Sequence, residues 1–152
     1  MGALVIRPMV EGDIPTLIDM GERFYKESPE YKLYPFSKEK LHRLGYQILN
    51  DIDYICLVYD KGGIKGMLAG ALYEQFFSYG RLASELFIFV DQNARGAVAG
   101  KRLIQAFEMW ANSKGATEIR VGVSSGITPD RTVGFYERLG YYHTAIQLRK
   151  VF

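Results

Sequence analysis

Glu85-Leu86-Phe87-Ile88-Phe89-Val90-Asp91-Gln92-Asn93-Ala94-Arg95-Gly96-Ala97-Val98-Ala99-Gly100-Lys101-Arg102-Leu103-Ile104 is the stretch on which the reading of this chain turns. Its first six residues close a run, Leu82–Val90, that is apolar on both alternating faces, as befits a strand in mid-sheet covered on both sides. A loop, Asp91–Gly96, follows. A helix through Lys114 then carries Leu103, Ile104, Phe107, Trp110 and Ala111 on one face and is closed by Gly115. Strand, glycine loop and helix thus meet in one place. The first turn of a helix has backbone N–H groups without intrahelical partners and the positive end of the macrodipole, so it can hold a phosphate or pyrophosphate. Gly96, Ala97, Ala99 and Gly100 keep bulk away, while Arg95, Lys101 and Arg102 add positive charge.

The flanking sequence sets this unit in a mixed α/β fold. Ala3–Met9 reads as a first strand and Asp13 as the start of a helix with Ile14, Leu17, Ile18, Phe24 and Tyr25 at three- and four-residue spacing. Ser37 can cap a second helix with the stripe Leu41, Leu44, Ile48 and Leu49. Tyr54–Tyr59, the turn Asp60-Lys61-Gly62-Gly63 and Gly66–Phe77 read as a hairpin. After the central unit come a strand at Glu118–Val123, a short helix at Asp130–Leu139 and a last strand at Tyr142–Val151. The expected order is βααβββαβαβ, a single mixed sheet with helices on both faces.

Composition narrows the function classes. The 152 residues are 48% hydrophobic, enough for one core and too few for two ordinary domains, so residues 1–152 are expected to form a single domain. Nineteen Lys and Arg against 17 Asp and Glu leave a net charge of +2 with no basic run, which argues against nucleic acid as a partner. Phe87-Ile88-Phe89 would imitate a base-stacking strand, but the basic face is missing. The lone Cys56 lies in an apolar stretch and suits packing. No run approaches a membrane span, and a cytoplasmic protein is expected. His42 and His143 lack metal-ligand spacing, so no metal is expected.

Three readings of the glycine loop compete: a helix start that merely packs closely on its strand, a nucleotide-binding P-loop, and an acyl-CoA loop. The P-loop fails on detail, because three residues rather than four separate Gly96 from Gly100-Lys101, and Arg102 stands where a Ser or Thr belongs. The block resembles the acetyl-CoA signature of the GCN5-related N-acetyltransferases, Arg/Gln-x-x-Gly-x-Gly/Ala after a central strand. Arg95 and Gly100 match it, and Val98 takes the place of the middle glycine. Trp110-Ala111-Asn112-Ser113-Lys114-Gly115-Ala116 is similar to the family's aromatic-Ala…Lys-Gly-Ala phrase. Gly134-Phe135-Tyr136-Glu137-Arg138-Leu139-Gly140-Tyr141 is similar to its aromatic-Tyr-Glu-x-x-Gly-aromatic phrase. Both loop phrases also resemble those of bacteriophage-encoded acetyltransferases.

The resemblance implies a mostly antiparallel central sheet and an acetyl-CoA co-substrate, used to acetylate a small-molecule or peptide amine, with homodimerisation left open. It implies that Tyr136 is the acid toward the CoA sulfur; a phenol of pKa near ~10 can donate to a thiolate whose conjugate acid lies near ~8.5. It makes Glu85 the candidate base, with a strand-end carboxylate paired to Lys or Arg as the alternative. It sets the pantetheine arm along Ile88–Val90 with an oxyanion donor around Phe89, and the phosphates on Arg95, Gly96, Ala97, Val98, Ala99, Gly100 and Lys101. Phe135 and Arg131 complete the expected cofactor contacts. The acceptor is expected among the first two helices with their connection Ser28–Phe36, the hairpin end Phe76–Tyr79 and the last strand, where Tyr25, Tyr31, Tyr34 and Phe36 cluster. The rival function is a CoA-binding module without catalysis, for which Val98 is the main argument.

Overall fold

Residues that alternate or run apolar over three to eleven positions build the sheet of this chain, seen in a computed structural model that describes residues 3–96 and 98–152. Strand β1 (Leu4–Pro8) leads through a single 3-10 turn into helix α1 (Ile14–Glu27), and helix α2 (Lys38–Asn50) follows. Then come β2 (Tyr54–Lys61), β3 (Ile64–Glu74), β4 (Arg81–Val90), α3 (Ala99–Ser113), β5 (Glu118–Arg120) and α4 (Pro129–Arg138). The strands lie in sequence order, β1-β2-β3-β4-β5, antiparallel except for the parallel β4–β5 pair. A mixed, mostly antiparallel sheet flanked by helices is therefore the observed architecture.

The helix starts have local causes. Asp13, at the N-cap of α1, accepts the Val10 N–H at 2.9 Å and an Arg7 N–H at 2.7 Å, which ties the helix to β1. Ser37 accepts the Lys40 N–H at 3.2 Å and so caps α2 as its sequence predicts. Met20 and Phe24 of α1 and Ile48 of α2 pack on Cys56, Val58, Met67, Ala69 and Phe89, one face of the sheet. Leu103, Ile104 and Phe107 of α3 pack on Leu57, Leu68, Leu72 and Ala83, the other face.

The close approach of α3 rests on one glycine. A Cβ at Gly70 would lie 2.3 Å from the fully buried Phe107 ring. Gly70→Ala is therefore expected to destabilise the fold by about 1–3 kcal/mol through overpacking, read as a lowered urea midpoint at unchanged slope. A midpoint equal to that of the parent chain would mean that the ring moves aside freely.

Two sequence expectations are corrected. Glu118–Val123 pairs with β4 only at Glu118–Arg120, because β4 bulges immediately after: Gly70 faces Glu85 and Ala69 faces Phe87, leaving Leu86 as an extra residue that turns β4 away. The expected last strand, Tyr142–Val151, forms no ladder. The edge that β5 offers is three residues long and carries Glu118 and Arg120, ion-paired to each other at 2.7 Å, a poor template for another strand. The segment instead leaves Tyr142, Ile146 and Leu148 82%, 90% and 89% exposed, with Arg149 paired to Glu30 at 2.8 Å.

Candidate active site

The parting of β4 from β5 opens a cleft of about 420 Å³. Backbone pairing between the two strands stops at Ser84–Arg120, so the β4 edge from Leu86 onward faces this opening rather than a neighbouring strand. Ile88, Phe89 and Val90 line it, as expected for main chain that receives an extended ligand by strand addition. Glu85 stands where the strands divide. Its carboxylate accepts the Gly122 N–H at 3.2 Å, and its pKa is pushed up to about 7, because burial disfavours the charge more than this hydrogen bond favours it. No Lys or Arg pairs with it among the described ion pairs, so the strand-end pairing weighed as an alternative is not formed.

Tyr136 lies opposite on α4. The residue is 3% exposed, borders the cleft, and its hydroxyl has no hydrogen-bond partner among the described atoms. Burial first, then the nearby charges of Glu85 and Tyr141, push its pKa well above the ordinary phenol value. A buried hydroxyl without a partner costs free energy, so its presence beside a cleft argues for a ligand atom that completes it.

The glycine loop closes one end of the cleft through Gly96 and Gly100. Ala97 lies outside the described residues. Val98, the departure from the expected glycine, is the N-cap of α3 with φ −101° and ψ −46°, half exposed. That right-handed conformation suits any L residue, so glycine is not required there. No side chain caps the helix at Val98, and Ala99 is buried beneath it. Phe135 lies under Gly100, where a Cβ would come within 3.2 Å of the ring, and Arg131 borders the cleft from α4. Lys101 points outward and does not line the cleft.

Arg95 borders the cleft, but its guanidinium has structural partners. It donates to both oxygens of Glu27, at 2.7 Å to one of them, and to the Val90 carbonyl at 2.8 Å, above the Phe89 ring. Arg23 adds a second clamp from α1 to Asp91 at 3.0 Å. These pairs hold the start of the glycine loop against α1.

Several lining residues escaped the sequence reading. Ser124, Ser125, Ile127 and Thr128 form the wall beyond β5. The buried Ser28 donates its hydroxyl to the Ser125 carbonyl, joining the end of α1 to this wall, and Gly126, at φ +73°, lets Pro29 and Glu30 approach. The run Ser124-Ser125-Gly126 after a strand was the available signal. Thr128 holds φ +42°, a left-handed conformation uncommon for a β-branched residue, where the chain turns into α4. It is the N-cap of α4, which starts at Pro129, one residue before the Asp130 start expected from sequence.

The expected acceptor aromatics divide. Tyr25, Tyr31 and Phe36 line a second cavity between α1, α2 and the sheet, whereas Tyr34 does not line it. Phe76, Phe77 and Tyr79 stand in solvent at the hairpin tip, 85%, 85% and 92% exposed, and border neither cavity. The tip overhangs the sheet with nothing packed on it, so these rings do not contribute to a pocket within the chain. Cys56 is buried with its thiol pushed up to about 12 by burial, which fits packing. Among the described residues no three His, Cys, Asp or Glu side chains gather as metal ligands. No described helix is long and apolar enough to cross a membrane.

A mixed sheet split between two parallel strands, with an uncapped helix N-terminus at one end of the split, forms a cleft suited to an extended ligand with an anionic end. The chain belongs to the acetyltransferase (GNAT) family, whose model matches residues 21–141, and acetyl-CoA is the co-substrate of that family. No curated protein matches the sequence at a significant level. Among solved structures, a transcriptional regulator from Bacillus halodurans C-125 is similar at TM-score 0.80 and 22% identity, over 99% of this chain and 100% of its own. An aminoglycoside acetyltransferase from an uncultured soil metagenomic sample, meta-AAC0020 in complex with sisomicin, gives 0.75 and 24%, over 98% and 96%. AAC(6')-Iy in complex with the bisubstrate analog CoA-S-monomethyl-acetylneamine gives 0.76 and 19%, over 99% of each chain. At these identities the likeness is one of fold.

Proposed function

We propose that this acetyltransferase moves the acetyl group of acetyl-CoA onto a primary amine by direct attack in the cleft between β4 and β5. The observation that carries the reading is the pairing of a proton acceptor and a proton donor on one cleft: Glu85, poised near neutrality, and Tyr136, protonated and without a partner. The residues present fit the co-substrate. The β4 edge at Ile88–Val90, where Arg95 already holds the Val90 carbonyl, would take the pantetheine amides, with a backbone N–H near Phe89 facing the thioester oxygen. The backbone N–H groups at the start of α3 and Arg131 would take the phosphates, and Phe135 would support the helix start.

The chemistry then balances with two side chains. The amine lone pair forms the C–N bond at the thioester carbon, Glu85 accepts the amine proton directly or through water, and the C–S bond breaks. Tyr136 gives its proton to the departing sulfur and is reprotonated from solvent. The products are the amide and free CoA. Because Arg95 is engaged by Glu27 and Val90, main-chain donors rather than this side chain carry the pyrophosphate in our reading. The right-handed backbone of Val98 leaves the loop compatible with binding, which removes the main argument for the non-catalytic module. We assign the reaction to the cytoplasm, where acetyl-CoA is supplied.

Tyr136→Phe tests the assignment. It is expected to lower kcat for CoA release by about 10²-fold with the acetyl-CoA Kd little changed. It is also expected to raise Tm, since it removes a buried hydroxyl that lacks a partner in the free chain. An unchanged kcat would withdraw the acid role from Tyr136.

A further inference from the structure

Besides the cleft, an open pocket of about 270 Å³ lies between α1, α2 and the sheet. Ile14, Leu17 and Ile18 of α1, Leu41 and Leu44 of α2, and Met67 of β3 wall it. Its walls are largely residues of the main core beneath α1 and α2, so it suits an apolar occupant.

The pocket adjoins the reaction cleft. Phe24, Tyr31, Leu86 and Phe87 line both. Leu86 is the bulged residue of β4, 39% exposed, and it adjoins Glu85 in the chain. A molecule seated in the cavity therefore presents its polar end beside the one carboxylate on the cleft.

Charge decides what kind of molecule that is. No Asp or Glu lines the cavity, and Glu85 is the single acid among the described residues lining either space. Acids near it in the chain turn elsewhere: Asp13 to Arg7, Glu27 to Arg95, Glu30 to Arg149, Glu22 to Lys26 and Lys38, while Asp19 is exposed to solvent. The Tyr25 hydroxyl on its wall has a partner too, donating to the Tyr34 carbonyl at 2.8 Å. One acid beside an apolar chamber suits one amine on an apolar body. A polyamine or aminoglycoside would leave its further cations without partners at apolar walls. A long acyl chain would fill the chamber but make no use of the carboxylate at its mouth.

We infer that the acceptor is an arylalkyl or alkyl monoamine whose hydrocarbon enters the chamber beneath α1 and α2, bringing its amino group to Glu85. This rests on the acetyl transfer proposed above and names the substrate class. The test compares tryptamine and 2-phenylethylamine with spermidine, neamine and methylamine as acceptors, by CoA release at pH 8. It also follows tryptamine binding calorimetrically without acetyl-CoA. Tryptamine is expected to exceed spermidine and neamine in kcat/KM by at least tenfold. Leu44→Trp, which fills the chamber from a half-buried position, is expected to cut tryptamine binding and kcat/KM at least tenfold. The acetyl-CoA Kd and methylamine turnover should stay as they were. Leu41→Phe is the milder filling variant should Trp unfold the chain.

Equal or better turnover of spermidine or neamine would overturn the inference. So would preferential use of hexanoyl-CoA lost in Leu44→Trp, which would assign the chamber to the acyl chain. Acetyl-CoA binding without tryptamine binding would sink the inference alone. Tryptamine binding lost in Leu44→Trp, in a chain that does not bind acetyl-CoA, would sink acetyl transfer alone.

Discussion

Glu85→Gln is expected to lower kcat by about 10²-fold and to flatten its dependence on pH, because the amide keeps the shape of the carboxylate but cannot accept a proton. In the parent chain kcat should rise with pH through about 7, where Glu85 loses its proton, and level off above. The same shift makes a stability prediction of opposite sense. The folded chain holds this proton to about pH 7, whereas the unfolded chain releases it near the ordinary value of 4.5. Between those limits the folded state binds more protons, so the contribution of Glu85 to stability falls as pH rises and is lost above about 7. Glu85→Gln should therefore be more stable than the parent at pH 8, by about 1–2 kcal/mol after allowance for solvent reaching the carboxylate, and equal to it below pH 4.5. Urea denaturation at the two pH values measures this. A kcat within threefold of the parent, with the pH profile retained, would move the base to water or to another group.

Gly100→Glu should weaken acetyl-CoA binding at least 10²-fold in a calorimetric titration while leaving the fold intact. The Cβ alone would stand 3.2 Å from the Phe135 ring, and the added carboxylate would bring negative charge to the helix end proposed to hold pyrophosphate. An acid in the first turn of a helix is favourable for the helix itself, so Tm is expected to hold or rise slightly. Gly100→Ala separates the two effects: it asks the ring to give by a few tenths of an ångström and adds no charge, so its binding loss should be far smaller. Affinity for acetyl-CoA equal to the parent in Gly100→Glu would remove the phosphates from the start of α3.

Elements with their own periodicity and caps are legible in the order of residues. The stripe Ile14, Leu17, Ile18 and Phe24, the cap Ser37, and the doubly apolar Leu82–Val90 each fold locally as their patterns predict. The glycine loop and the tyrosine phrase also point to the cleft, since Gly96, Gly100, Arg131, Phe135 and Tyr136 all border it. Pairing is less legible. An alternating run such as Tyr142–Val151 is a strand only where an edge accepts it, and the length and charge of that edge belong to β5, a separate segment earlier in the chain. The hairpin-tip rings mislead for a related reason, because aromatic composition reveals nothing about what lies above a turn.

Residue order by itself determined the succession of strands and helices, the glycine loop after a buried strand and the tyrosine phrase near the C-terminus, because each is a short-range pattern of polarity, capping and spacing. The tertiary structure alone decided that β4 bulges at Leu86 and parts from β5, that Glu85 is left without a cationic partner while Arg95 finds Glu27, and that α1 and α2 leave an apolar pocket beside the cleft. Those outcomes depend on which distant residues meet. The free energy of a buried charge or an unfilled space is set by neighbours brought together from separate parts of the chain.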